Sequence, residues 1–166
     1  MRIRHALLVA VFSSSAVLMF PDRASADITG FLGVTTTPAS RQTTGLAVGA
    51  GLLIVGFEFE YASTSEDLIE LAPHLRTFMF NGLLQTPIPI AGMQFYGTMG
   101  AGGYTETLSS AIDPRETNFG VNVGGGAKIS LVGPLRLRLD YRVFTLKGHP
   151  RESSVQRFYA GVNLKF

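Results

Sequence analysis

The sequence predicts an all-β chain that closes as an eight-stranded antiparallel up-and-down transmembrane β-barrel. Three observations carry that expectation. An apolar export segment opens the chain. The remainder alternates apolar and polar residues in about eight segments, and the last of these runs unbroken to a terminal Phe166. Side chains of a strand point alternately to opposite faces, so each such segment has one greasy side and one polar side.

The first 26 residues read as a cleaved signal peptide. Arg2, Arg4 and His5 form a basic start, residues 6–20 an apolar run broken only by Ser13, Ser14 and Ser15, and Ala24-Ser25-Ala26 a small-residue cleavage site after Pro21. The mature domain is then 27–166. No Cys follows the apolar run, which rules out a lipoprotein anchor, and zero Cys in an exported chain means no disulfide framework. The chain has 14 Lys+Arg and 12 Asp+Glu. Removing Arg2, Arg4, Arg23 and Asp22 leaves equal numbers of each sign. The basic balance of the precursor is therefore no argument for a nucleic-acid partner.

Eight strands are expected near 27–34, 44–53, 55–62, 73–84, 90–103, 117–131, 134–146 and 154–166. A strand of about ten residues tilted by about 40° spans roughly 25 Å, the height of a membrane's apolar band. The connections alternate between short (Leu53-Ile54, Gln85 to Pro89, Val132-Gly133) and long (Thr35 to Thr43, Ser63 to Ala72, Tyr104 to Glu116, Lys147 to Ser153). The long ones carry most of the remaining charge. This asymmetry is that of an outer-membrane barrel with long loops outside and both termini on the periplasmic side.

The faces follow from parity. Strand two sets Leu46, Val48, Ala50 and Leu52 against Gly45, Ala47, Gly49 and Gly51. Strand three sets Val55, Phe57, Phe59 and Tyr61 against Gly56, Glu58 and Glu60, and strand five sets Phe95 and Met99 against Tyr96 and Thr98. Strand six opposes Phe119, Val121 and Val123 to Asn122, Gly124, Gly126 and Lys128. Strand seven opposes Leu135, Leu137, Leu139, Tyr141 and Val143 to Arg136, Arg138, Asp140 and Arg142. Strand eight opposes Phe158, Ala160, Val162, Leu164 and Phe166 to Arg157, Tyr159, Gly161, Asn163 and Lys165. Strand four gives no clean answer: His74 and Arg76 share parity with Phe78 and Phe80, Leu75 and Met79 with Thr77 and Asn81. A bulge is the expected remedy. A soluble lipocalin-like barrel would turn the apolar faces inward, a membrane barrel outward. Few charges outside the loops and a secretory start favour the outward sense.

The segments Arg136-Leu137-Arg138-Leu139-Asp140-Tyr141-Arg142 and Phe158-Tyr159-Ala160-Gly161-Val162-Asn163-Leu164-Lys165-Phe166 resemble strands of the small eight-stranded outer-membrane barrels of the OmpA/OmpX type, within the broad porin-like β-barrel class. The resemblance covers the mature chain. It implies location in the bacterial outer membrane, outer-membrane lipid and lipopolysaccharide as surroundings, and Phe158, Val162, Leu164 and Phe166 as a C-terminal signal for the barrel-assembly machinery. Its motifs are architectural, so it implies fold and place rather than activity. The absence of Trp departs from it and leaves any aromatic girdle to Phe and Tyr.

An eight-stranded barrel is just wide enough for side chains to fill. Strands three and seven face each other across the axis, so Glu58 and Glu60 should meet Arg136, Arg138 and Arg142, with Asp140 between the arginines. Glycine walls on strands two and six leave room. The expected result is a charged plug, and the competing reading is a narrow selective pore. A third reading is a lipid-modifying enzyme using His149 near Glu152, Ser153 and Ser154, or His74 near Arg76, Asp67 and Glu70. The lipid A deacylase pattern places a Ser two residues after its His, where this chain has Arg151 behind Pro150. No metal spacing, phosphate-cradling loop or cofactor motif is present. The expected role is non-enzymatic, exercised through the outer loops. Ser63 to Ala72, with Glu66, Asp67 and Glu70 beside Leu68, Ile69 and Leu71, is the best contact surface for a loop partner.

Overall fold

The alternating segments form eight antiparallel strands that close on themselves: β1 (Ala24–Thr35), β2 (Arg41–Leu52), β3 (Val55–Thr64), β4 (His74–Gln85), β5 (Met93–Thr107), β6 (Thr117–Ser130), β7 (Leu135–Leu146) and β8 (Ser154–Lys165). Each strand pairs with its sequence neighbours, and β8 returns to β1. The structure, a computed structural model, describes residues 24–108 and 117–166. The expected export segment up to residue 23 and part of the loop after β5 lie outside the described residues. Among the described residues no helix is long and apolar enough to cross a membrane, which does not bear on strands.

The all-β barrel expected from alternation is the fold. Strand bounds shift by three or four residues at four ends: β1 starts at Ala24 rather than 27 and β5 at Met93 rather than 90, while β2 starts at Arg41 rather than 44 and β5 runs on to Thr107 rather than 103. The starts of β1 and β5 have clear causes. The first shift lengthens the closing seam: Ala26 N–H donates to Phe166 O at 2.8 Å, and Phe166 N–H returns to Ala26 O at 2.9 Å. The second follows from backbone geometry. Pro87 and Pro89 cannot donate to a ladder, and Ala91 and Gly92 both take positive φ, so a turn over 86–92 replaces the first residues expected of the strand. That connection is therefore longer than the tight turns at 53–54 and 131–134 at the same end.

The exterior is apolar and the interior polar. Leu46, Val48, Phe57, Phe59, Phe80 and Met99 all face outward and exposed, whereas Glu58, Glu60, Arg138, Arg142, Arg157 and Asn163 are fully buried inside the barrel. The ambiguity of β4 resolves without a bulge, contrary to expectation. Its register with β3 and β5 is regular from end to end. Arg76, Phe78, Phe80 and Leu84 point outward, and Leu75, Thr77, Met79 and Asn81 point inward. Leu75 and Met79 are luminal because the half of the lumen toward the long loops holds an apolar layer, made with Tyr104, Phe144, Leu146 and Val155. Arg76 sits near the loop end of its strand, beyond the outward aromatic residues.

Candidate functional site

The barrel interior gathers the side chains that carry chemistry. Glu58 on β3 receives Arg138 from β7 on both carboxylate oxygens, one contact being 3.2 Å and the other shorter, and also Arg142 Nη2 at 2.8 Å. Asp140 lies between the two arginines, accepting from Arg138 Nη2 at 3.1 Å and from Arg142 Nε at 2.9 Å. Arg138 and Arg142 flank Asp140 in sequence at i−2 and i+2, so the pleat puts all three on one face.

Two tyrosines complete this layer. Tyr96 donates its hydroxyl to Asp140 Oδ2 at 2.5 Å and accepts from Arg138 Nε at 2.7 Å, and Tyr159 donates to Asp140 Oδ2 at 3.1 Å. Two glycines make room for the rings. A Cβ on Gly126 would lie 2.5 Å from the Tyr96 hydroxyl, and one on Gly45 would lie 2.2 Å from the Phe31 ring, which stacks on Tyr159 at 4.0 Å between centroids. These glycines stand on β6 and β2, the walls flanking the ion-pair axis.

The network continues toward the loops. Glu60 accepts from Arg157 Nη1 at 3.1 Å, and its other oxygen faces Arg142 Nη1 at 3.1 Å off the hydrogen-bonding line. Arg157 also reaches Thr77 Oγ1 at 3.2 Å and lies 4.4 Å from the centroid of Phe144, at the floor of the apolar layer. Asn122 donates to Asn81 Oδ1 at 2.8 Å. Buried charges persist only when paired and hydrogen-bonded. Here Glu58, Glu60 and Asp140 balance Arg138, Arg142 and Arg157 one for one, so the layer presents no net charge to a passing ion.

Of the six residues expected in the network, five meet: Glu58, Glu60, Arg138, Asp140 and Arg142. Arg136 does not join them. It lies lower on β7 and donates to Gln94 Oε1 at 3.2 Å. Three participants escaped the sequence-based choice although their parity was legible: Arg157, Tyr96 and Tyr159. A further pair, Lys128 to Asp27 at 2.5 Å, links β6 to β1. Below the network a cavity of about 200 Å³ opens at the short-turn end, lined by Asp27, Glu58, Gln85, Gln94, Lys128 and Arg136 among others. Phe158, Val162, Leu164 and Phe166 all lie exposed on the outward side of β8 and its terminus.

The long-loop end is tied down. Arg41, buried at the barrel mouth, donates to Thr37 O at 3.0 Å, to Ser65 O at 3.4 Å and to Pro73 O. Within loop 65–73, Asp67 and Ala72 exchange backbone hydrogen bonds of 2.8 and 2.7 Å, and Asp67 Oδ1 accepts from Ile69 N and Glu70 N. This tight tip presents Leu68, Ile69 and Leu71 to the outside, Ile69 being 92% exposed. Arg151 crosses from loop 147–153, its backbone N–H donating to Glu106 at 3.1 Å and its guanidinium to Glu70 O at 3.4 Å. His149 is exposed in that loop. His74 is placed differently: its Nε2 lies 3.0 Å from Ser63 Oγ, beside Arg76, the cross-strand partner of Ser63. Among the described residues no cluster could hold a metal ion.

No protein-family model matches the chain, and no curated protein sequence matches it either. Solved structures do. The N-terminal β-barrel domain of Pseudomonas aeruginosa OprF superimposes with a TM-score of 0.69 at 16% identity, covering 87% of this chain and 98% of that one. Ail, the attachment invasion locus protein of Yersinia pestis, solved with the heparin analogue sucrose octasulfate, gives 0.55 at 13% identity, covering 86% and 98%. The outer membrane enzyme PagL gives 0.54 at 13% identity, covering 83% and 98%. At these identities the likeness concerns the fold, and it agrees with the inverted interior: the chain has the fold of the small eight-stranded outer-membrane β-barrels.

Proposed function

We propose that this chain is a non-enzymatic integral protein of the bacterial outer membrane that acts through its long-loop end, with the short turns on the periplasmic side. The observation that carries this reading is the closed lumen. A charge-balanced layer of fully buried arginines and carboxylates crosses the axis, and an apolar layer lies above it toward the loops. A path for solutes would have to break paired charges and then wet Leu75, Met79 and Phe144. Function then falls to the surface, where loop 65–73 holds an apolar tip with acidic flanks in a fixed conformation. Such a tip suits a partner offering an apolar recess with basic edges. Its surroundings would be outer-membrane lipid and lipopolysaccharide, and its insertion would use the barrel-assembly machinery.

Planar-bilayer recording tests the closed lumen: the wild type should give no steady conductance, and a large stable current would promote a pore instead. Replacing Leu68, Ile69 and Leu71 together by Ser should abolish retention of whatever envelope or surface protein the wild type in nanodiscs captures, while leaving the folded barrel intact. Unchanged capture would move the contact surface elsewhere.

A second reading rests on a different observation. Ser63 and His74 have the spacing of a nucleophile and its base on the exterior of the loop end, and Arg76 beside them could hold a lipid phosphate. This supports hydrolysis of a lipid ester at the outer leaflet. Mass spectra of lipid A from cells expressing wild type and Ser63→Ala decide it; identical spectra leave the non-enzymatic reading standing.

A further inference from the structure

The outward face of the barrel has a sharp upper edge and no lower one. At the loop end, Thr44, Ser63, Arg76, Thr105 and Thr117 are successive cross-strand partners and form a polar belt on the exterior. Below that belt β2, β3 and β4 present only apolar side chains outward, down to Leu52, Val55 and Leu84. The turns that follow are no more polar. Residues 53–54, 86–92 and 131–134 contain no charged side chain. Ile54, Ile88, Ile90, Leu131, Val132 and Phe166 form an exposed apolar ring there, Val132 being 80% exposed.

Height makes the ring necessary. On β4 the outward apolar residues run only from Phe78 to Leu84. At about 3.3 Å per residue and about 40° of tilt this covers about 15 Å, against about 25 Å for the apolar band of an outer-membrane barrel. Measured down from the polar belt, the missing height in this sector is that of the turns. Backbone in hydrocarbon must also have its polar groups satisfied. Pro87, Pro89 and Pro134 have no N–H to satisfy. Thr86 N, Ile90 N, Leu131 N and Leu135 N donate within the turns or to adjacent strands, and the side chains of Gln85 and Gln94 donate to Leu53 O and Thr86 O. The N–H groups of Ile88, Ala91, Gly92, Val132 and Gly133 have no acceptor among the described residues, so the turn backbone must meet water or headgroup oxygens while its side chains reach lipid.

We infer that the three short turns form a lipid-embedded collar: their apolar side chains reach the acyl chains of the periplasmic leaflet, continuous with the lipid-facing wall, and their backbone lies at the headgroup boundary, instead of the turns standing free in periplasmic water. The occupant of the ring is membrane lipid. This rests on the membrane reading above. The polar cavity inside the collar then opens at headgroup depth.

The chain has no Cys, so single-Cys probes are unambiguous. Ile88→Cys, Val132→Cys, Met99→Cys and Ile69→Cys, each in the full chain, are labelled with a polarity-sensitive fluorophore and placed in phosphatidylethanolamine/phosphatidylglycerol nanodiscs, where both faces meet solvent. Heat-modifiability on a gel verifies folding of each. Quenching by lipids spin-labelled on the acyl chain is compared with quenching by aqueous iodide. The collar requires positions 88 and 132 to behave as the mid-wall position 99 does, several-fold more sensitive to the lipid quencher, with position 69 the reverse. Iodide quenching at 88 and 132 with lipid quenching at 99 overturns the collar and leaves a surface free for a periplasmic protein. Iodide quenching at 99 as well overturns the membrane reading itself.

Discussion

The lumen works through individual pairs. Glu60 receives Arg157 and faces Arg142, and Glu60 is the one acid within ion-pair distance of Arg157 among the described residues. Glu60→Gln should therefore cost about 3–5 kcal/mol, because it strands a buried guanidinium. Adding Arg157→Met should recover part of that loss, since removing both sides of a buried pair is often nearly neutral. Urea unfolding of the single and double variants in lipid vesicles checks this, and strict additivity would contradict the cross-barrel pairing. On the outside the rule inverts. Leu139 faces outward at mid-strand opposite Ala127 and Ala160. Leu139→Arg should lose about 2–4 kcal/mol relative to wild type, as an arginine does near the bilayer midplane, whereas Leu139→Ala should lose far less. Equal midpoints in urea for the two variants would mean that this face does not meet lipid.

Among the elements, β8 matters most, because it closes the barrel. It pairs with β7 and β1, and Phe166 exchanges two backbone hydrogen bonds with Ala26. Deleting Phe166 or making it Asp should lower the amount of folded barrel in outer-membrane fractions, measured by heat-modifiability; unchanged amounts would count against a terminal assembly signal. The same seam bears on export. Cleavage after Ala26 would remove the partner of Phe166 and leave Asp27 opposite Lys165 as the last pair. N-terminal sequencing of membrane-extracted protein should give Asp27 first; a start at or before Ala24 would show that the mature chain keeps those closing bonds.

For the whole molecule, inversion is the organising fact. Polar groups fill the interior and apolar groups cover the outside, so on the proposed membrane reading lipid is the solvent that stabilises the exterior, and the pairing within offsets the cost of burying charge. Detergent removal should accordingly aggregate the protein even though its lumen stays paired, and static light scattering on dilution below the micellar concentration checks it. A monodisperse, folded protein in plain buffer would indicate a soluble barrel instead.

Strand number, face assignment and the meeting of β3 with β7 were legible because period-two alternation fixes a face and an up-and-down order fixes which strands oppose. Glu58 and Arg138 could thus be paired from sequence. Other features were not legible. β4 carries arginine and phenylalanine on one parity, and only its regular register showed that Arg76 belongs to an exterior polar belt while Leu75 and Met79 fill an apolar luminal layer. Arg157 had the right parity, but its depth relative to Glu60 depends on the stagger of β8 against β3 around a closed sheet. Arg136 had the right parity and the wrong depth for the same reason. Local alternation determined the strands and their two faces, and sparse charge together with the export segment pointed the apolar face outward. Only the tertiary structure decided depth, bringing Arg157 into the network and leaving Arg136 out of it, because stagger is set only when the eighth strand finds the first.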